Sequence, residues 1–412
     1  MSAKQSQGLR ATLDRQRAEE QVSALRALLM RPLLTAADEH FASVRRHAES
    51  LRAWLLRETG WQLHVDRDCA RLFKRPSDLT DASRGAAGFD RRKYVLLCLA
   101  CAALERAETQ ITLRGLGEEL IRMAGSPELQ TAGYRFALEQ VHERRELVQV
   151  CRFLIDWGAL TRVAGDEEAF VVGAAHAADG GNDALYDIQR RVLANLLACA
   201  RGPSTFAPES APRELPQRLA ALVDEYVAEG PDAQRTALRH ALARRLLDDP
   251  VVYFSELATG AREYLANQRG PLAARLCELT DLVAEQRAEG TALIDPEGDL
   301  SDARLPAEGT VSHATLLVAD YLVEALRGDS ERFVPELQVA AFLRGAADEY
   351  GRYWRKAARE PGAEVGLAQE ALSQLEQLKL IAVRDGSVRA RPALARYALG
   401  KPIIKQTQLQ HG

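Results

Sequence analysis

Long apolar stretches are missing from this chain of 412 residues. The longest unbroken run, residues 94–104, has 11 residues, about half of the ~20 that a helix needs to cross a bilayer. The opening Met1-Ser-Ala-Lys-Gln-Ser-Gln is polar and holds no signal-peptide core, so a cytoplasmic protein without membrane contact is expected. Cysteine is sparse, with six residues in all, which excludes a disulfide framework. Cys98 and Cys101 form a CxxC pair, but they fall inside the apolar run, which reads as a buried helix. Zinc would need a second ligand pair, and none stands at suitable spacing. Lysine is scarce beside arginine. The chain is also rich in alanine, as GC-rich coding would make it, so arginine abundance alone does not signal nucleic acid. A net charge of −4 argues against a protein coated in nucleic acid.

Catalytic signatures are lacking as well. A P-loop needs Gly-Lys-Ser/Thr to hold phosphates, whereas Gly400-Lys401 runs into Pro402. The segment Gly202-Pro203-Ser204-Thr205-Phe206 lacks the second glycine of a nucleophile elbow. His142-Glu143-Arg144-Arg145-Glu146 has Glu where a zincin carries its second His. His40 and His47, read as two helical turns apart, have no evident third ligand. A restriction-type nuclease would place a Lys two positions after a carboxylate, and no lysine here has that neighbour. The cluster Asp166-Glu167-Glu168 reads as a solvated wing tip. Asp295, Glu297 and Asp299 lack the oxygen spacing of a calcium loop. A non-enzyme with no cofactor and no metal is expected.

What is present is a globular composition, 47% hydrophobic and 27% charged, with length for two to four domains. Four times a helical stretch runs into a short β-hairpin on a polar turn. The four lie at 61–73 (turn Asp66–Asp68), 160–170 (Gly165-Asp166), 291–300 (Asp295–Gly298) and 380–390 (Asp385-Gly386). Between them, helices are expected at 15–30, 36–59 (ending at Gly60), 91–107, 114–123, 136–157, 186–200, 311–326, 335–359 and 364–378. Residues 109–113 form a strand, several helices fill 217–289, and 77–88, 174–183 and 201–216 are linkers.

The expected fold is therefore mainly α with small β-hairpins, as tandem winged-helix domains, two clear and up to four. A loose tail occupies 1–14. Winged-helix-like units follow at 15–76, 89–173 (the clearest), 184–306 and 310–412.

Charge is uneven along the chain. Residues 340–412 hold 12 Lys/Arg against 7 Asp/Glu, so the remainder carries −9, a hint of a charged partner at one end. In the second unit, Arg144, Arg145 and Arg152 are balanced by Glu139, Glu143, Glu146 and Asp156, which suits protein contact or plain solvation. In the last unit Arg352, Arg355, Lys356 and Arg359 fall at i, i+3, i+4 and i+7, one helical face. Tyr350, Tyr353 and Trp354 lie beside them, and the wing adds Arg384, Arg389 and Arg391. These seven cations make a phosphate-tracking surface for double-stranded DNA. The same residues also fit an aromatic core with a solvated arginine edge.

The stretches 31–34, 91–100, 105–113, 185–193 and 201–204 resemble a bacterial family catalogued as of unknown function. That family is encoded beside a coiled-coil ATPase in the four-gene Wadjet anti-plasmid cassettes. The chain is similar to their type II second components. The resemblance implies a KITE subunit, a tandem winged-helix element comparable to MukE that binds the kleisin of an SMC complex and commonly forms a homodimer. It further implies an SMC-like ATPase that extrudes DNA loops and a separate nuclease that cuts small circular DNA. None of the resembling motifs is catalytic. MukE-like subunits are shorter, with two winged helices. A winged-helix transcription regulator is the alternative, and an enzyme with an unfamiliar site is the third reading.

Overall fold

The computed structural model describes residues 3–76, 78–79, 81, 84–173, 183–199, 202, 205–207, 209, 212–223, 225–329 and 331–398. The chain is mainly α-helical with small antiparallel sheets and divides into two compact units, residues 1–226 and 227–412. None of the described helices is long and apolar enough to cross a membrane.

The first unit carries two copies of one element order. The first copy runs α1 (Ala3–Met30), β1 (Leu33–Thr35), α2 (Phe41–Arg46), α3 (Ala48–Thr59), β2 (Gln62–Val65) and β3 (Cys69–Phe73). Gly60 ends α3 in the left-handed conformation (φ 66°), its N–H returning to Leu56 O, as a C′ glycine does. The second copy runs α4 (Arg91–Arg106), β4 (Gln110–Thr112), α5 (Leu113–Ala124), α6 (Pro127–Thr131), α7 (Val141–Asp156), β5 (Leu160–Ala164), α8 (Glu167–Gly173), β6 (Leu185–Ile188) and α9 (Arg190–Ala194), and α10 (Leu215–Val223) follows. Asp90 and Thr112 cap α4 and α5 by accepting from the N–H groups of Lys93 and Gly115, satisfying donors left over in each first turn. One core holds Leu104, Leu116, Leu147 and Tyr186 together with Leu33 and Cys69 of the first sheet.

The second unit repeats the pattern twice more, with a single α-helix between the first two strands of its first copy. Its first copy is α11 (Pro231–Asp248), β7 (Val252–Tyr253), α12 (Thr259–Thr280), β8 (Val283–Gln286) and β9 (Gly290–Ile294), with a 3₁₀ turn at Phe254–Glu256. Its second is α13 (Thr310–Gly328), β10 (Val334–Pro335), α14 (Glu336–Tyr350), α15 (Ala363–Gln377), β11 (Ile381–Arg384) and β12 (Ser387–Ala390), ending in a 3₁₀ turn at Pro392–Tyr397. Val251 and Tyr253 of the third copy join a core built on Val318, Leu322, Leu343, Leu375 and Val388 of the fourth. In all four sheets the third strand lies between the first and second and pairs antiparallel with both.

The hairpins at 61–73 and 380–390 stand where the sequence places them. Asp385 and Gly386 both take positive φ (49° and 68°), the requirement of a two-residue I′ turn. The other two differ. The segment after Gly165 is helix α8 rather than a returning strand, and β5 pairs instead with β6. Residues 186–200, expected as a helix, thus contribute a strand and a five-residue helix. Leu185-Tyr-Asp-Ile188 alternates in burial, and Tyr186 is wholly buried, so sheet pairing outweighs the helical pattern. The third hairpin turns at 287–289, one strand earlier than expected. The Asp295 carboxylate instead accepts from Leu300 N at 2.8 Å, shaping the loop after β9.

Helix α1 reaches back to Ala3 through the segment expected as a loose tail. Its polarity marks exposure, since residues 10–19 are nearly all exposed, and no proline interrupts it. Strand β1 lies between the two expected helices, and the second of these starts only at Phe41 and is broken at His47 into α2 and α3. Of the expected linkers and motifs, residues 77, 80, 82–83, 174–182, 201, 203–204, 208, 210–211 and 400–402 lie outside the described residues.

Candidate nucleic-acid interface

The basic segment after α14 does not continue that helix. Gly351 closes α14, and residues 351–353 and 356–359 form two 3₁₀ turns separated by extended Trp354 and Arg355. The break turns Trp354 inward, where it is 3% exposed and its Nε1 donates to His313 Nδ1 at 3.0 Å. His313, on α13, also meets Tyr350 edge-on with ring centroids 5.3 Å apart. Burying an indole with its N–H satisfied outweighs another turn through Gly351, a poor helix former. The single helical face expected for Arg352, Arg355, Lys356 and Arg359 is therefore not formed.

The seven cations divide by what already holds them. Arg391 is packed on the Tyr253 ring at 3.6 Å and paired with Glu256. Arg389 is paired with Glu331 and lies over Phe333 at 5.3 Å. Arg359 donates to Trp354 O at 3.1 Å, fastening the turn. Arg355 is outward, with its backbone N–H on Thr310 Oγ1 at 2.8 Å and its guanidinium 3.3 Å from Glu370. Arg384 projects from the β11–β12 hairpin beside Asp385 at 3.4 Å. Arg352 lies over the exposed Tyr353 ring at 4.6 Å. Arg352 and Lys356 are exposed and have no carboxylate partner among the described residues. Surface pairs such as Arg355–Glu370 are worth at most ~1 kcal/mol and yield readily to a phosphate. Arg391 and Arg389, in contrast, contribute to packing.

Sequence reasoning missed the partners that make this division. Glu256 and Tyr253 lie more than 130 residues before Arg391, and no local pattern announces such a pairing. The same holds for the acidic residues read as solvated. Glu167 is 3% exposed and accepts from Tyr186 Oη at 3.3 Å and from Arg162 Nη1 at 3.3 Å. The zincin look-alike is an ion-pair cluster in which Arg92 binds Glu143 at 3.0 Å and Glu146 at 2.8 Å.

His40 and His47 do not share a helix, since His47 stands at the joint of α2 and α3 and meets Glu20 at 3.2 Å. Of the CxxC pair, Cys98 is exposed and Cys101 half-buried, because α4 buries only the stripe of Leu96, Ala100, Ala103 and Leu104. Among the described residues no three His, Cys, Asp or Glu side chains converge as metal ligands.

A recess lies between the third and fourth copies. It is lined by Val251, Ala292, Ile294, Leu380 and Tyr397, with Glu285 held by Arg396 at 2.5 Å.

Residues 25–400 match the family described as "Protein of unknown function (DUF2398)". The chain belongs to that family. The matched span takes in all four three-stranded sheets, so the fourfold order is a property of the family's span and not an appendage to it. No curated protein and no solved structure matches the chain.

Proposed function

We propose that this DUF2398 chain is a non-enzymatic KITE-type subunit of an SMC-like complex in anti-plasmid defence. In this reading it acts in the cytoplasm as a homodimer, binds a kleisin-like subunit, and contacts double-stranded DNA through the fourth copy. The observation that carries the proposal is the fourfold recurrence of a helix, a strand, one or more helices and two further strands, with the third strand central in every sheet. This recurrence supports reading each copy as a winged helix, a fold that binds DNA or proteins. The resemblance described from the sequence supplies the complex to which such a tandem array would belong. The outward cations Arg352, Lys356 and Arg384 support a phosphate contact without base reading, which favours DNA tracking over sequence-specific regulation.

Size-exclusion chromatography of the chain with the kleisin-like protein encoded beside it is the test. Co-elution at micromolar concentration, through an interface above ~1,000 Å², is expected. Separate elution refutes the kleisin role. Selection of one duplex sequence over others by roughly 10³ or more would establish the transcription-regulator alternative instead.

A further inference from the structure

Among the described residues of the first unit, four charged side chains are buried: Glu58, Arg71, Glu143 and Glu167. Three have a counter-charge, since Arg57 meets Glu58 at 2.7 Å, Arg92 meets Glu143 at 3.0 Å and Arg162 meets Glu167 at 3.3 Å. Arg71 has none among the described residues, although only 5% of it is exposed. Its Nη2 donates to Leu196 O at 3.1 Å, its Nε is buried without a partner, and its guanidinium carbon stands 5.7 Å from the Phe73 ring. Burial holds the guanidinium down to about 10. A guanidinium has five N–H donors, and one bond to a carbonyl leaves it far short of satisfaction. A buried charge is costly unless paired.

The place is defined. Arg71 lies on β3, the central strand, facing the segment after α9, and the next residue along that segment is Leu197, 65% exposed. A buried cation next to an exposed aliphatic side chain complements an acidic residue with an aliphatic neighbour. The guanidinium is too enclosed for duplex phosphates, which line a convex surface, whereas the 5% of Arg71 that stays exposed is within the reach of a single carboxylate side chain.

We infer that Arg71 is the receptor for a carboxylate side chain of a protein partner, whose adjacent aliphatic residue packs on Leu197. The inference rests on the kleisin-binding reading and names a contact within it. The test titrates the full chain with the kleisin-like protein in a calorimeter, comparing wild type with Arg71→Met and Arg71→Lys. Arg71→Met is expected to weaken binding by about thirtyfold or more, while the thermal midpoint of the free chain stays the same or rises. Arg71→Lys, which keeps the charge, is expected to lose less.

Unchanged affinity in Arg71→Met overturns the inference alone. So does a fall in the free chain's midpoint together with affinity, the mark of a purely structural clamp on Leu196. A matching loss of binding to duplex DNA assigns the anion to phosphate and also overturns it. Absence of binding by the wild-type chain removes the kleisin reading itself and the inference with it.

Discussion

The guanidinium of Arg391 lies 3.6 Å from the centroid of the Tyr253 ring and pairs with Glu256. It thereby ties the β11–β12 hairpin of the fourth copy to the first strand of the third. Lys379 also joins the two copies, its ammonium 3.3 Å from the buried Asp249 and its carbonyl accepting from Tyr253 Oη at 2.9 Å. The 18% exposure of the Arg391 side chain makes this a desolvated cation–π contact, of the kind worth ~2 kcal/mol. Arg391→Ala is therefore expected to lower stability by about 2 kcal/mol, read as a lower urea midpoint at an unchanged m-value. The salt dependence of DNA binding should not move. A slope reduced by about 1 with an unchanged midpoint would instead make Arg391 a phosphate contact.

Arg352 and Lys356 stand on the other side of that division. Both are exposed and have no carboxylate partner among the described residues, so their replacement should leave the fold intact. The double substitution Arg352→Glu and Lys356→Glu is expected to weaken duplex binding and to flatten the plot of log K against log salt by roughly 2, about 0.9 for each phosphate that is no longer neutralised. The check is fluorescence anisotropy with one labelled duplex across a salt series. An unchanged slope removes the patch from the interface, whatever happens to affinity at a single salt concentration.

His313 makes the turn that presents these cations sensitive to pH. Its Nδ1 accepts from Trp354, so the ring is neutral in the folded protein, and burial holds its pKa below the ordinary value of 6.5. A depressed folded pKa means that the unfolded chain takes up the proton first. Stability from this group is thus fully present above pH 6.5 and is lost as pH falls through the lower folded pKa. Urea midpoints should fall between pH 7.5 and pH 5. His313→Leu should be less stable at pH 7.5, because Trp354 Nε1 loses its partner, by roughly 1–3 kcal/mol, and should lack this share of the pH dependence. A midpoint equally pH-dependent in both proteins would show that His313 does not hold the turn.

The parts of the fold legible in the sequence were those with local causes. Asp385-Gly386 demands a I′ turn and Gly60 a helix end. Asp66, whose carboxylate accepts from Asp68 N at 2.7 Å and Cys69 N at 3.0 Å, shapes its own hairpin. What was illegible depends on partners far along the chain. Leu185–Ile188 becomes a strand because β4 and β5 leave a gap between them that only a third strand fills. Residues 351–359 leave the helical path because α13 offers Trp354 a buried hydrogen-bond acceptor. The candidate interface suffered most, since a helical wheel treats seven cations as equivalent. Three of them are engaged by Glu256, Glu331 and the Trp354 carbonyl.

Gly165 tests the largest of these departures. It sits at the end of β5 with φ +86°, and a Cβ there would lie 1.9 Å from Asp183 O. That contact exists only because β5 is followed across the sheet by β6. In a compact 160–170 hairpin, Gly165 would need the left-handed conformation but not the space. Gly165→Ala should cost ~1–2 kcal/mol for the backbone conformation and more for the clash, since the opposing atoms belong to main chain. Gly345→Ala serves as the control, for it lies within α14 with nothing inside 4 Å of the added methyl. It should stabilise the protein by roughly 0.5–1 kcal/mol. Urea midpoints of both variants decide the matter. A loss of no more than the conformational share in Gly165→Ala would reject the close approach of β5 to Asp183, and with it the pairing that places Tyr186 in the core of the first unit.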